Sequence, residues 1–184
     1  SFLVGVAAAL KTQTNKIGFI GGVDSPVIQK FEAGFRAGVH AIDPEITVEV
    51  QYADGFNDFA KRKALASDMF DHNIDIIYHA AGATGNGVIA EAKERKLANR
   101  SQDIWVIGVD RDQYAEGIYD EASGASIVYT SMVKRVDIAV KQIAQMALEG
   151  RFPGGEEIVF SLENEGIFVA DSNTAFDQTI QQTV

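Results

Sequence analysis

Four times in succession a short apolar run leads into a segment with helical spacing. This alternation constrains the chain more than any other feature. Residues 16–22 (KIGFIGG), 47–53 (TVEVQYA), 74–81 (IDIIYHAA) and 125–130 (ASIVYT) read as strands, each followed by a helix-period stretch. Such connections join parallel strands through right-handed crossovers. The fold expected is α/β, doubly wound on a mostly parallel sheet, flavodoxin-like or Rossmann-like. A further run, 104–109, is apolar apart from Gly108 and stops abruptly at Asp110, Arg111, Asp112 and Gln113. An uninterrupted run with β-branched and aromatic members suits a strand covered on both faces. Ligands of open α/β sheets bind beyond the carboxyl ends of the strands, and Asp110 falls there.

Ser25 as N-cap and Pro26 at the first helical position open the first of these helices. Val27, Phe31, Gly34, Phe35, Gly38, Val39 and Ile42 then recur at spacings of three and four, one apolar face. Gly34 and Gly38 are expected to bring that face close to the sheet. Asp58 is expected to cap the next helix, with Phe59, Leu65, Ala66, Met69 and Phe70 inward. A long helix is expected over 131–150, with Ser131 as N-cap, Val136, Ala139, Ile143, Ala147 and Leu148 inward, and Gly150 at the C′ position. Residues 157–162 and 166–170 read as closing strands. The last ten residues are too short and polar to assign. Residues 1–10 (SFLVGVAAAL) have no basic start and make a poor signal peptide; they read as the end of a buried helix in a longer protein.

The formal charge of −10 argues against nucleic acid as a partner. No apolar run approaches 18 residues, so no helical membrane span is expected. With no cysteine, disulfides, thiolate metal sites and cysteine nucleophiles are excluded. His40, His72 and His79 lie far apart without ligand spacing, so no metal site is expected.

The glycine-rich turn 82–87 (GATGNG) lacks both the dinucleotide fingerprint spacing and the Gly-Lys-Ser/Thr of a P-loop, so no cofactor is expected. It is either a tight strand-to-helix turn or a contact to a neutral hydroxyl or carbonyl. Asp110 is either a polar residue leaving its strand or a carboxylate that accepts from two adjacent hydroxyls, as in a sugar diol. With Ser131 as N-cap, Lys134 would sit at the third helical position, where a cation opposes the helix dipole. It is either solvated or offset by Asp110. Phe56 lies off the helical stripe, as a loop packer or a stacking platform. Arg111 and Gln113 read as loop residues, and Glu163 and Glu165 as solvated charge in a turn. No nucleophile elbow or Ser-His-Asp arrangement emerges, so no enzyme is expected.

SFLVGVAAAL, IGFIGG, KFEAGFRAG, QYADGFND, AAGATGNGV, WVIGVDRDQ and the FPGG turn together resemble the basic membrane protein family, across nearly the whole chain. Within it they are similar to purine nucleoside receptors, the substrate-binding lipoproteins of ABC transporters. The resemblance implies one lobe of a type I periplasmic-binding-protein fold. Residues 1–15 would lead in from a missing amino-terminal lobe or hinge, 16–162 would form the carboxyl-terminal ligand-binding lobe, and 163–184 the hinge return and a truncated tail. It implies a purine nucleoside (guanosine, inosine or adenosine) clamped between lobes, and ABC permease subunits as partners. It also implies an extracytoplasmic location on a lipid anchor outside this chain. Carried over by motif, Phe56 would stack on the purine and Gly82 would meet the 5′ side of the ribose. Asp110 with Lys134 would hold the 2′ and 3′ hydroxyls. Asn57 and Asp112 are weaker ligand candidates.

Two other classes fit the same architecture. A ligand-sensing domain of a lactose-repressor-type regulator would need a helix-turn-helix ahead of Ser1, and a nucleoside hydrolase would need a base or metal cluster beyond Asp110 and Asp112. A sugar-binding receptor is a further variant of the transport reading.

Overall fold

The computed structural model describes residues 1–184, apart from the side chains of Ala83, Thr84 and Gln178. Strands β1 (Lys16–Gly21), β2 (Thr47–Tyr52), β3 (Ile76–Ala80) and β4 (Trp105–Asp110) pair in parallel. β5 (Ile118–Asp120) and β6 (Ala125–Ser126) form a small antiparallel ribbon. β7 (Val128–Lys134) pairs in parallel with β4, and β8 (Ile167–Val169) runs antiparallel on β7. The main sheet has the order β2-β1-β3-β4-β7-β8. Its first five strands follow the flavodoxin-like order, whose chain reversal beside β1 and β3 opens a crevice at the strand ends.

Two apolar clusters cover the two faces, as a doubly wound sheet requires. α1 (Phe2–Lys11) and α2 (Pro26–Ile42) bury Val4, Ala7, Ala8, Phe35 and Val39 against Phe19, Tyr78 and Ile107. α3 (Phe59–Asp71) and α4 (Asn86–Ala98) bury Ala66, Met69, Val88, Ile89 and Ala92 against Ile20, Ile77 and Val106. The same alternation along each strand therefore feeds both layers. No helix among the described residues is long and apolar enough to cross a membrane.

Several local expectations change. A Cβ on Gly38 would overlap the Phe2 carbonyl, and one on Gly5 the Phe35 carbonyl. The glycines of α2 thus admit α1, not the sheet. Val27 and Phe59, at the starts of their helices, lie beyond the sheet and are exposed, while Ile28 and Arg62 turn inward. Asp58 does cap α3, accepting from the Lys61 N–H at 2.8 Å. Ser25 stands at the N-cap of α2 without a side-chain capping bond.

The helix expected over 131–150 begins later, as α5 (Val136–Leu148), because Ser131 is not a cap. Its hydroxyl accepts the Gln113 N–H at 3.1 Å inside the sheet, and β7 continues to Lys134. α5 buries none of its residues: Val136 and Val140 are exposed and Leu148 is 90 % exposed. Its apolar face is real, yet no described element covers it. Gly150 takes the C′ position at φ +70°. Residues 157–162 are not a strand: the segment closes in a turn, with the Gly166 N–H donating to the Ser161 carbonyl at 2.8 Å and the Asn164 side chain bonding the backbone of Val159 and Ser161. The tail forms α6 (Gln178–Thr183), capped by the Asp177 carboxylate on the Ile180 N–H.

Candidate ligand-binding cleft

The loops after five strands meet at the carboxyl edge of the sheet. They enclose a cleft of about 200 Å³ lined by Val27, Ile28, Phe31, Phe56, Ala80, Gly82, Val109, Asp110 and Lys134. Phe56, Gly82, Asp110 and Lys134, each singled out from the sequence, are thus brought together.

Asp110 ends β4 at φ +70°, and the Arg111 N–H donates back to the Val109 carbonyl at 2.9 Å. This is a γ-turn of positive φ, a rare and strained geometry for a residue with a side chain. It swings the carboxylate out of the strand direction. Lys134 Nζ lies 2.7 Å from Asp110 Oδ1. The contact is ionic and outside hydrogen-bonding directions, so this enclosed Oδ1 accepts no hydrogen bond. Both side chains are more than 40 % exposed, so the pair adds little to stability. Its significance is the fixed charge at the cleft.

The pair arises for a reason other than helix capping. β4 and β7 are neighbours with Asp110 opposite Val133, so Lys134 emerges at the same lip. Its ammonium also lies 4.8 Å from the centre of the Phe31 ring, a cation–π contact. Phe31 belongs to the cleft, although its helical spacing with Phe35 reads as core. α2 overshoots the end of β1, so its first turns face the crevice.

Phe56 is 43 % exposed and its ring rests on Gly22, where any Cβ would overlap it. The loop beneath is anchored: the Gly55 N–H donates to the Gly22 carbonyl at 2.8 Å. The fully buried Arg62 guanidinium donates to the carbonyls of Gly55 and Asp58. Periodicity could have found Arg62, since it shares a face with Ala66 and Met69. Gly82 has φ +58° and open space where a Cβ would be, so backbone faces the cleft there. The side chains of Ala83 and Thr84 in this turn lie outside the described residues.

The two weaker candidates go elsewhere. Asn57 is exposed and outside the lining. Asp112 accepts from the Tyr114 N–H at 3.0 Å and from the Ser172 hydroxyl, so it braces the loop. A second cleft, of about 120 Å³ between α1 and β8, is lined by Phe2, Leu3, Met132, Leu162 and Phe168. Ser1 apart, it has no polar side chain with which to orient a ligand. No group of three or more potential metal-ligating side chains is found among the described residues.

His79 is fully buried on β3 beneath Gly85, whose Cβ position its ring would fill. Burial lowers its pKa from 6.5 to about 4; Asp110 opposes the shift and Arg62 reinforces it. Between these values the unfolded chain binds a proton that the folded chain does not. Stability from this group is complete above pH 6.5 and is lost as pH falls toward 4, by about 3 kcal/mol. Denaturant unfolding at pH 7.5 and 4.5 should show this loss, and His79→Gln should reduce it. An unchanged loss in the variant would assign the acid limit to other groups.

The family model described as Bmp, ABC transporter substrate-binding protein PnrA-like, matches residues 1–184. The chain belongs to this family. It is 49 % identical over 173 residues to a protein of Listeria monocytogenes named CD4+ T-cell-stimulating antigen, covering 93 % of this chain and 48 % of that one. It is 44 % identical over 170 residues to the ABC transporter nucleoside-binding protein BmpA of Lactococcus lactis, covering 91 % and 48 %. An ABC transporter solute-binding protein from Aeropyrum pernix superimposes with a TM-score of 0.76 at 28 % identity, over 92 % of this chain and 46 % of that one. The chain spans about half the length of the curated relatives it matches. The fold is that of a type I periplasmic-binding-protein lobe, as expected from the sequence.

Proposed function

We propose that this chain is the carboxyl-terminal lobe of an extracytoplasmic, lipid-anchored receptor that binds a purine nucleoside and presents it to ABC permease subunits without turnover. The observation that carries this is the convergence of Phe56, Gly82, Asp110 and Lys134 on one cleft. A carboxylate beside an ammonium suits a vicinal diol, whose hydroxyls both donate and accept. An exposed phenyl ring on a flat glycine floor suits a heteroaromatic face. Backbone at Gly82 suits a neutral hydroxyl, and the turn carries no lysine or arginine to attract a phosphate. The remaining length of the relatives would supply a second lobe that closes over the ligand, and α5 leaves the sheet with an apolar face for that lobe to cover.

Calorimetric titration of the two-lobed protein containing this sequence, with guanosine, inosine, adenosine, cytidine and ribose, tests the reading. Tight binding of purine nucleosides, with ribose inert, is expected. Phe56→Ala should weaken nucleoside binding by roughly 10-fold or more through lost stacking. Absence of binding to every nucleoside would remove the function and leave the fold. Equal affinity for ribose and guanosine would make this a sugar receptor.

A further inference from the structure

Gln113 reads from the sequence as a loop residue, but it is 1 % exposed and all its polar groups are engaged. Its N–H donates to the Ser131 hydroxyl at 3.1 Å, which fixes its backbone to β7. Its side-chain carbonyl accepts the Val109 N–H at 2.9 Å. Its side-chain amide donates to Asn86 Oδ1 at 3.1 Å. Asn86 is the first residue of α4, immediately after the turn at Gly82–Gly85. Val109 immediately precedes Asp110.

The sheet explains why a side chain is needed there. The β3–β4 ladder runs from Ile76 opposite Trp105 to Tyr78 opposite Ile107 and ends. Trp105 donates toward the β3 side, to the Asp75 carbonyl. Alternation turns Val109 the same way, two residues past the last β3 partner. A buried N–H without an acceptor is costly, and Gln113 supplies one. Gly108 makes the room: a Cβ there would stand 2.8 Å from Gln113 Oε1 and 2.5 Å from Ser131 Oγ. Where β3 and β4 part to open the cleft, one amide side chain bridges the gap.

We propose that Gln113 is a positioning residue for ligand binding: it ties the turn after β3 to the turn after β4 and so fixes the distance between Gly82 and the Asp110 carboxylate. The proposal rests on the reading of the cleft as a diol-binding site. It assigns Gln113 no contact with the ligand.

The test is a thermodynamic cycle in the two-lobed protein, read with inosine. Gln113→Met keeps length and loses both side-chain bonds; Asn86→Ala cuts the tie alone and leaves the Val109 N–H satisfied. Expected are a loss of about 10-fold in affinity for Gln113→Met and about 5-fold for Asn86→Ala. In an Asp110→Gly background, Gln113→Met should cost less than about two-fold, because the group it positions is gone. An equal loss with and without Asp110 would show general destabilisation and overturn the proposal, as would unchanged affinity in both single variants. Amide hydrogen exchange reads the tie with no ligand: Asn86→Ala should speed exchange at Val109–Gln113. Unchanged exchange there overturns the tie whether or not inosine binds. Faster exchange in a protein that binds no nucleoside would retain the tie and remove only the nucleoside reading.

Discussion

Asp110→Ala should lower the affinity of the two-lobed protein for purine nucleosides by roughly 100-fold or more, since the proposed charge-assisted bonds to two hydroxyls would be lost together. Titration calorimetry reads the loss directly. The backbone supplies its own control. Asp110 sits at φ +70° inside a γ-turn, where alanine is more strained than aspartate and glycine is relaxed. Asp110→Gly should therefore lose binding as Asp110→Ala does, while its melting temperature stays level or rises. Asn tolerates positive φ and keeps one acceptor, so Asp110→Asn should fall between wild type and alanine in affinity. Binding that survives Asp110→Ala would keep the cleft but move the diol contact to another residue. A melting temperature that drops in Asp110→Gly would show that the carboxylate holds the fold rather than the ligand.

The largest effect on folding is expected far from that carboxylate. Gly38→Val should destabilise the chain by about 3 kcal/mol or more, because its Cβ meets the Phe2 carbonyl and the start of Val6, both backbone. No rotamer relieves such a clash. In a chain of this size that is a fall of about 6–12 °C in Tm. Gly5→Ala presses on the Phe35 carbonyl from the other helix and should act in the same direction. Gly34→Ala, whose nearest neighbour would be 3.4 Å away, should be nearly silent. Thermal melts of the three variants separate close α1–α2 contact from a general dislike of change in α2. If Gly38→Val melts as wild type does, α1 does not pack closely on α2 at Gly38.

How much of this was legible follows from where the information lies. The doubly wound sheet was, because alternating apolar runs and helical stripes are local and periodic. Asp58 as a cap and Gly150 at C′ were, since caps are one-residue chemistry. Gly38 was visible as a close contact, but spacing cannot say whether a sheet or a helix fills it. Lys134 was placed beside Asp110 by a mistaken route: Ser131 resembles an N-cap, yet its hydroxyl serves Gln113, and the pair follows from strand adjacency. α5 has a clear apolar stripe, but amphipathicity specifies that a face wants cover, not that this chain provides it. Gln113 and Arg62 were missed because their partners (the Val109 N–H and the Ser131 and Asn86 side chains for Gln113, the Gly55 and Asp58 carbonyls for Arg62) lie on turns and strands that sequence cannot juxtapose. For Arg62 a signal existed, an arginine in step with Ala66 and Met69.

The cleft is assembled from one short loop per strand, and this has a consequence for how recognition can drift. Phe56, Gly82, Asp110 and Lys134 each stand at or just past the end of a different strand of one sheet. Phe56 can be exchanged without re-registering the strand that carries Lys134, so on the proposed nucleoside reading the preference for a base and the grip on a sugar could be altered one at a time. Such separability is the condition for stepwise divergence among receptors that share a scaffold. The stitch between the β3 and β4 loops is the exception: residues on either side of it must change together.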